Sequence, residues 1–170
     1  FGEIYKKQVD ASGVIPQITA IFGTCGGGLA VVPTLTDFTF MEEKKAKLFV
    51  NSPNAIDGNE ISRCDTSSAA FQSEEAGIVD VTAAEADILA QIRELVSMLP
   101  ANNEDNTAFE ECADDLNRVC EGLENCAGDT AIALSQISDN GVFFETKRNY
   151  AKDMVTGFIK LNGATVGAVA

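Results

Sequence analysis

The residues best suited to chemistry are three consecutive glycines, Gly26, Gly27 and Gly28, which close the segment Gly23-Thr-Cys-Gly-Gly-Gly28. An apolar, β-branched run, Ile15 to Phe22, leads into them, and Leu29 to Leu35 has the length of a short helix stopped near Pro33. A strand that passes through such a turn into a helix presents main-chain N–H groups at the helix start. There they lack an intrahelical acceptor and attract developing negative charge. Glycine suits the position because substrate must approach the main chain closely and because glycine tolerates positive φ. Two N–H donors aimed at one oxygen form an oxyanion hole, and one donor is worth on the order of 3 kcal/mol of transition-state stabilisation. The competing reading is a tight crossing of packed elements. A nucleotide phosphate loop is excluded, since Leu29-Ala30 stands where Lys-Ser or Lys-Thr is needed.

Composition narrows the rest. The chain has no histidine, so Ser-His and Cys-His nucleophile pairs are excluded and any chemistry runs without imidazole. A formal charge of −14, from 26 acidic against 12 basic residues, argues against nucleic acid or an anionic lipid surface as partner. The five cysteines are odd in number and show no Cys-x-x-Cys spacing, which fits a reducing cytoplasm. Cys112, Cys120 and Cys126 read as single apolar thiols, and no metal is assigned. No secretory signal opens the chain. The stretch Ile15 to Met41 contains Pro16, Gln17, Pro33 and Asp37, so it reads as buried strand and turn; no direct membrane insertion is expected.

The elements that must hold the glycine turn can be placed from pattern. Phe1 to Gly13 reads as helix without a start signal, as if the natural beginning lay elsewhere. Ile15 to Phe22 reads as a strand buried on both faces. Asp37 to Met41, Lys47 to Val50 and Gly77 to Val81 read as further strands, and Pro53 to Ile56 as a helical turn behind Ser52. Thr82 and Glu85 suggest a capping box for a helix Ala83 to Leu99, with Ile88, Ile92, Leu95 and Leu99 on one face. Ala101 to Asp129, rich in acidic residues with Arg118 as its single basic one, reads as a solvated linker and the most mobile interior segment. Beyond it come a helix, Thr130 to Ile137, and strands at Val142 to Glu145, Thr156 to Leu161 and Thr165 to Val169, the last two joined by an Asn162-Gly163 hairpin turn.

Motifs in one order add a family resemblance. Ser12-Gly-Val-Ile-Pro-Gln-Ile18, the glycine segment, Pro33-Thr-Leu-Thr-Asp-Phe38 with Phe40-Met41, and Ser52-Pro53 before Gly58-Asn-Glu60 resemble the biotin-dependent acyl-CoA carboxyltransferase family. That family includes the carboxyltransferase subunits of acetyl- and propionyl-CoA carboxylases and of methylmalonyl- and glutaconyl-CoA decarboxylases. Phe143-Phe-Glu145, Ala151-Lys152, Val155-Thr-Gly-Phe158 and Leu161-Asn-Gly-Ala-Thr-Val-Gly167 resemble the opening of its second domain.

The resemblance implies an α/β, crotonase-like ββα-spiral fold, present in part. Residues 1–100 would be the second half of the first carboxyltransferase domain, 101–129 an acidic linker and 130–170 the start of the second domain. It implies CO2 transfer between carboxybiotin, carried on a partner biotin carrier protein, and the α-carbon of an acyl-CoA, in a cytoplasmic homo-oligomer. It maps the catalytic donors onto Gly27 and Gly28, with Cys25 and Gly26 beside the substrate, and no side-chain base is needed. Both amides are expected to be free of protein partners and to face a cleft. The hole for the biotin carbonyl would lie further along the second domain, so this chain alone is expected to be inactive. Gly26 stands where relatives usually carry Ala, Ser67-Ser68 where they carry a Gly pair, and Gln72 and Asp80 where His is common, so the acyl-group preference is not carried over. Two other functions remain open. One is a crotonase-type hydratase or isomerase with a carboxylate base, for which Glu42 and Glu43 are the nearest candidates, although a solvated pair is the plainer reading. The other is a non-catalytic assembly fragment.

Overall fold

The computed structural model describes residues 1–170 apart from Asn106, Thr107, Ala108 and Glu110. After helix α1 (Gly2–Ala11) the chain runs through β1 (Ile18–Ile21), β2 (Thr24–Gly26), a 3-10 turn (Gly27–Ala30) and α2 (Val31–Thr34). It continues through β3 (Phe38–Glu42), β4 (Lys47–Phe49), a second 3-10 turn (Pro53–Ala55), α3 (Ala69–Glu74), β5 (Val81–Ala83) and α4 (Glu85–Met98). Strands β1, β3 and β5 form one parallel sheet with β3 in the middle, while β2 and β4 pair in parallel as another. Consecutive strands therefore alternate between sheets, and a strand-strand-helix unit recurs as β1-β2-α2 and β3-β4-α3. The α/β expectation holds.

The strand buried on both faces is β3, not Ile15 to Phe22. Successive residues of a strand point to opposite faces. Met41 enters a cluster with Ile21, Leu48 and Val79, whereas Phe40 enters one with Ile88, Leu95 and Met98. Strand β1 lies at the sheet edge with Ala20 exposed. Apolar content marks both segments alike and does not reveal sheet order.

The helical stretch stops at Thr34, next to Pro33, as expected, and Pro33 itself is admitted because it stands in the first turn of α2. Two further expectations shift. The strand expected from Gly77 begins at Val81: the N–H groups of Ile78 and Val79 both donate to the Gln72 carbonyl, so residues 77–79 close α3. The capping box does not form. Thr82 belongs to β5, where its hydroxyl accepts from Asn149 Nδ2 at 3.3 Å, and Ala84 caps α4 without a side-chain bond. The apolar face of α4 is as expected, with Met98 added to it.

After residues 101–129 come α5 (Thr130–Ile137) and an antiparallel sheet of β6 (Phe143–Thr146), β7 (Thr156–Leu161) and β8 (Ala164–Val169). In the acidic stretch, Arg118 pairs with Asp114 at 3.0 Å and donates to the carbonyls of Gln136 at 2.6 Å and Ser138 at 2.7 Å. Its single basic residue thus fastens the described part of the segment to the end of α5. Phe144 and Phe158 pack into the Phe40 cluster, so the antiparallel sheet and the first sheet share apolar contacts.

The hairpin turn is the expected one, with positive φ at Asn162 (52°) and Gly163 (80°). Asp139 holds it: the carboxylate accepts from Gly163 N–H at 2.7 Å. Main-chain donation by Gly163, then Asn162, keeps the Asp139 carboxyl below the usual carboxylate range. A folded-state value below the unfolded one means that this contribution is present above about pH 4 and is lost as pH falls through the lowered value. An Asp139→Asn variant should therefore be less stable near neutrality and lose less stability than the parent between about pH 5 and pH 2. Thermal melting across that range is the measurement.

Candidate active site

The glycine turn is positioned by the β2–β4 ladder. Lys47 N–H donates to the Gly23 carbonyl at 3.0 Å, and the register runs Thr24 to Lys47, Cys25 to Leu48 and Gly26 to Phe49. Facing sides alternate along a parallel strand, and Gly26 is extended (φ −124°, ψ 159°). Gly23, Cys25 and then the Gly27 amide therefore face β4. At Gly27 φ is +61°, and the chain turns into the 3-10 segment. Gly28 lies past the ladder in the first turn, where N–H groups have no intrahelical acceptor. Of the two expected donors, Gly28 is the one outside the sheet.

Each glycine has its own reason. A Cβ at Gly26 would stand 2.9 Å from the Phe49 ring. One at Gly28 would meet the Phe1 ring at 3.1 Å and the Tyr5 hydroxyl at 3.2 Å. One at Gly27 would meet nothing within 4 Å, and the constraint there is the positive φ. The packing reading thus applies to Gly26 and Gly28, while Gly27 borders open space. The side chain of Cys25 joins the core with Ile21, Met41 and Leu48, and burial pushes its thiol up. An apolar groove of about 260 Å³, lined by Ala20, Phe22, Cys25, Leu29 and Val32 among others, runs from β1 to the turn.

The sequence pattern alone does not tie helix α1 to the turn. None of its residues is buried, yet Tyr5 Oη donates to the Gly28 carbonyl and Gln8 Nε2 to the Val32 carbonyl at 3.1 Å. The available signal was the three-residue spacing of Tyr5 and Gln8, which sets them on one helix face.

Of the expected solvated pair, Glu43 is exposed beside Lys44 at 3.4 Å, but Glu42 is not. Glu42 is buried, and its carboxylate accepts from the N–H groups of Lys45 at 2.5 Å, Lys44 at 3.1 Å and Ala46 at 3.3 Å, closing the β3–β4 corner. The Lys45 bond first, with the others, lowers its pKa, which suits a structural acceptor and not a proton-abstracting base. The departures at 67, 68, 72 and 80 are also structural. Ser67 Oγ donates to Asp65 at 2.5 Å, and Ser68 caps α3 by accepting from Phe71 N–H at 3.2 Å. Gln72 Nε2 donates to the Thr66 carbonyl at 2.6 Å, and buried Asp80 accepts from Thr39 N–H at 2.8 Å while pairing with Lys147 at 3.3 Å.

A family model described as "Carboxyl transferase domain" matches residues 1–170. The propionyl-CoA carboxylase carboxyltransferase subunit of Haloferax mediterranei is 37% identical over 181 residues, which cover 100% of this chain and 35% of that protein. The methylmalonyl-CoA decarboxylase subunit alpha of Veillonella parvula is 33% identical, over 100% of this chain and 36% of its own length. This chain thus spans about a third of the length of the curated relatives it matches. A transcarboxylase 12S crystal structure with methylmalonyl-coenzyme A and methylmalonic acid bound superposes with a TM-score of 0.89 at 30% identity, covering 99% of this chain and 34% of that one. A single-chain, multi-domain long-chain acyl-CoA carboxylase, at 20% identity and a TM-score of 0.75, shares the fold. The fold is crotonase-like, in part, as expected.

Proposed function

The chain belongs to the carboxyl transferase domain family, and from that premise we propose that it forms part of an enzyme moving CO2 between carboxybiotin and the α-carbon of an acyl-CoA. The observation that carries this reading is the glycine turn, with Gly28 clear of the ladder and Gly27 bordering open space. Carboxybiotin, brought by a carrier protein, supplies CO2 and a nitrogen base for the α-proton. No residue of this chain is given a role toward it, because the resemblance assigns the biotin carbonyl to a hole later in the second domain. The Gly28 N–H would hold the thioester oxygen as the α-proton leaves and negative charge collects there, while the Gly27 amide, expected as its partner donor, faces β4 and instead fixes the turn. The main chain at Cys25 and Gly26 would border the acyl group.

The division at 101–129 is supported by the change from parallel strands before it to an antiparallel sheet after it. Five unpaired thiols support a reducing compartment. Among the described residues no helix is long and apolar enough to cross a membrane. Transcarboxylase 12S is described with a hexamer assembly, which supports a homo-oligomer here. The hydratase reading loses its nearest carboxylate, since Glu42 is spent on three main-chain donors.

The test is carboxyl transfer by the full-length protein that carries this chain, given malonyl-CoA or methylmalonyl-CoA and free biotin. Biotin-dependent loss of the labelled carboxyl group is expected. Hydration of an enoyl-CoA without any carboxyl transfer would replace this reading with the hydratase one.

A further inference from the structure

We propose that Tyr5 is a positioning residue for the oxyanion turn: its hydroxyl, bonded to the Gly28 carbonyl, fixes the peptide plane next to the one that carries the Gly28 N–H. This rests on the carboxyltransferase reading above. Tandem glycines have the widest conformational freedom of any residue pair, so their own backbone does not fix where an N–H points. An oxyanion hole acts only if its donors are aimed before charge develops. The Gly27–Gly28 peptide therefore needs restraint from both sides.

On the N-terminal side, the β2–β4 ladder holds the chain up to Gly26 opposite Phe49. On the C-terminal side, Tyr5 Oη donates to the Gly28 carbonyl. Because a peptide group is planar, this bond fixes the plane that follows Gly28. The Gly28 N–H belongs to the peptide between these two fixed planes. Tyr5 is itself held in register. Gln8, three residues on, donates to the Val32 carbonyl at 3.1 Å, and Gln17 Nε2 donates to the Gln8 carbonyl at 3.0 Å. Two donors on one face of α1 thus meet two carbonyls four residues apart on the turn and α2.

Tyr5→Phe isolates the hydroxyl, because the ring and its stacking on Phe1 (centroids 6.1 Å apart, planes at 14°) are retained. In the full-length protein we expect kcat to fall roughly tenfold, with KM for acyl-CoA and the melting midpoint nearly unchanged. Amide hydrogen exchange at Gly28 and Leu29 should quicken. Lys6→Met removes the exposed pair that Lys6 makes with Asp10 on α1 and serves as the comparison. It is expected to keep kcat and the exchange rates at Gly28 and Leu29. Full turnover in Tyr5→Phe with unaltered exchange, or an equal loss of kcat in Lys6→Met, overturns the proposal. If the parent protein performs no carboxyl transfer, the functional reading fails by itself, and the exchange rates at Gly28 and Leu29 still decide whether Tyr5 holds the turn.

Discussion

A Gly28→Val variant of the full-length protein carrying this chain should lose turnover by roughly a hundredfold or more, the loss expected for about one oxyanion donor, and should still fold. The fold survives because φ at Gly28 lies outside the positive range, so a β-branched residue is admissible there. It also survives because what stands in the way can move. A Cβ would meet the edge of the Phe1 ring at 3.1 Å and 3.3 Å and the Tyr5 hydroxyl at 3.2 Å, and α1 has no buried residue. Valine methyls would push that helix off the turn, break the Tyr5 bond and release the peptide carrying the Gly28 N–H. Gly28→Ala, adding the Cβ alone, should show the same effect at smaller size. Steady-state turnover read beside a melting curve is the check. A valine variant with full turnover would reduce the glycines to packing devices.

How far the sequence announces this arrangement depends on which neighbours decide each element. Asn162-Gly163 carries its turn in its own residues, and the hairpin falls where expected. Helices α4 and α5 are legible because their apolar spacing is local. Thr82 offers a capping pattern that tertiary structure overrides: β5 pairs with β3 through Val81, Thr82 and Ala83 before the helix starts. Ile15 to Phe22 and Phe38 to Glu42 look equally apolar, and sheet order alone puts β3 inside and β1 at the edge. At the site, the glycine segment stands out in sequence because tandem glycines mark a close backbone approach and positive φ, here +61° at Gly27, that glycine adopts most readily. Tyr5 does not stand out, since its partner is a carbonyl 23 residues away that any sequence would supply.

The largest stability effect is expected at Phe40, where replacement by alanine should cost about 3 to 5 kcal/mol. The ring is fully buried, and it is enclosed by Ile88, Leu95 and Met98 from α4 and by Phe144 from β6, whose ring centroid lies 6.5 Å away. The cavity left behind could collapse only poorly. Strand β3 is held on either side by β1 and β5, and its other face is occupied by Met41. Leu89→Ala on α4, at a side chain 50% exposed, should change stability by about 0.5 kcal/mol or less and controls for the helix itself. A protein longer than this chain need not unfold in one step, so amide exchange resolved by segment is the better reading of the loss. Phe144 lies beyond the acidic segment, yet it packs in the same cluster. Phe40→Ala should therefore loosen β6 and β7 together with α4. If β6 and β7 keep their protection while α4 loses its own, residues 130–170 have a core that stands without Phe40. If all three loosen together, the regions on either side of 101–129 fold as one cooperative unit through this ring, and the division between them is one of chain topology and not of stability.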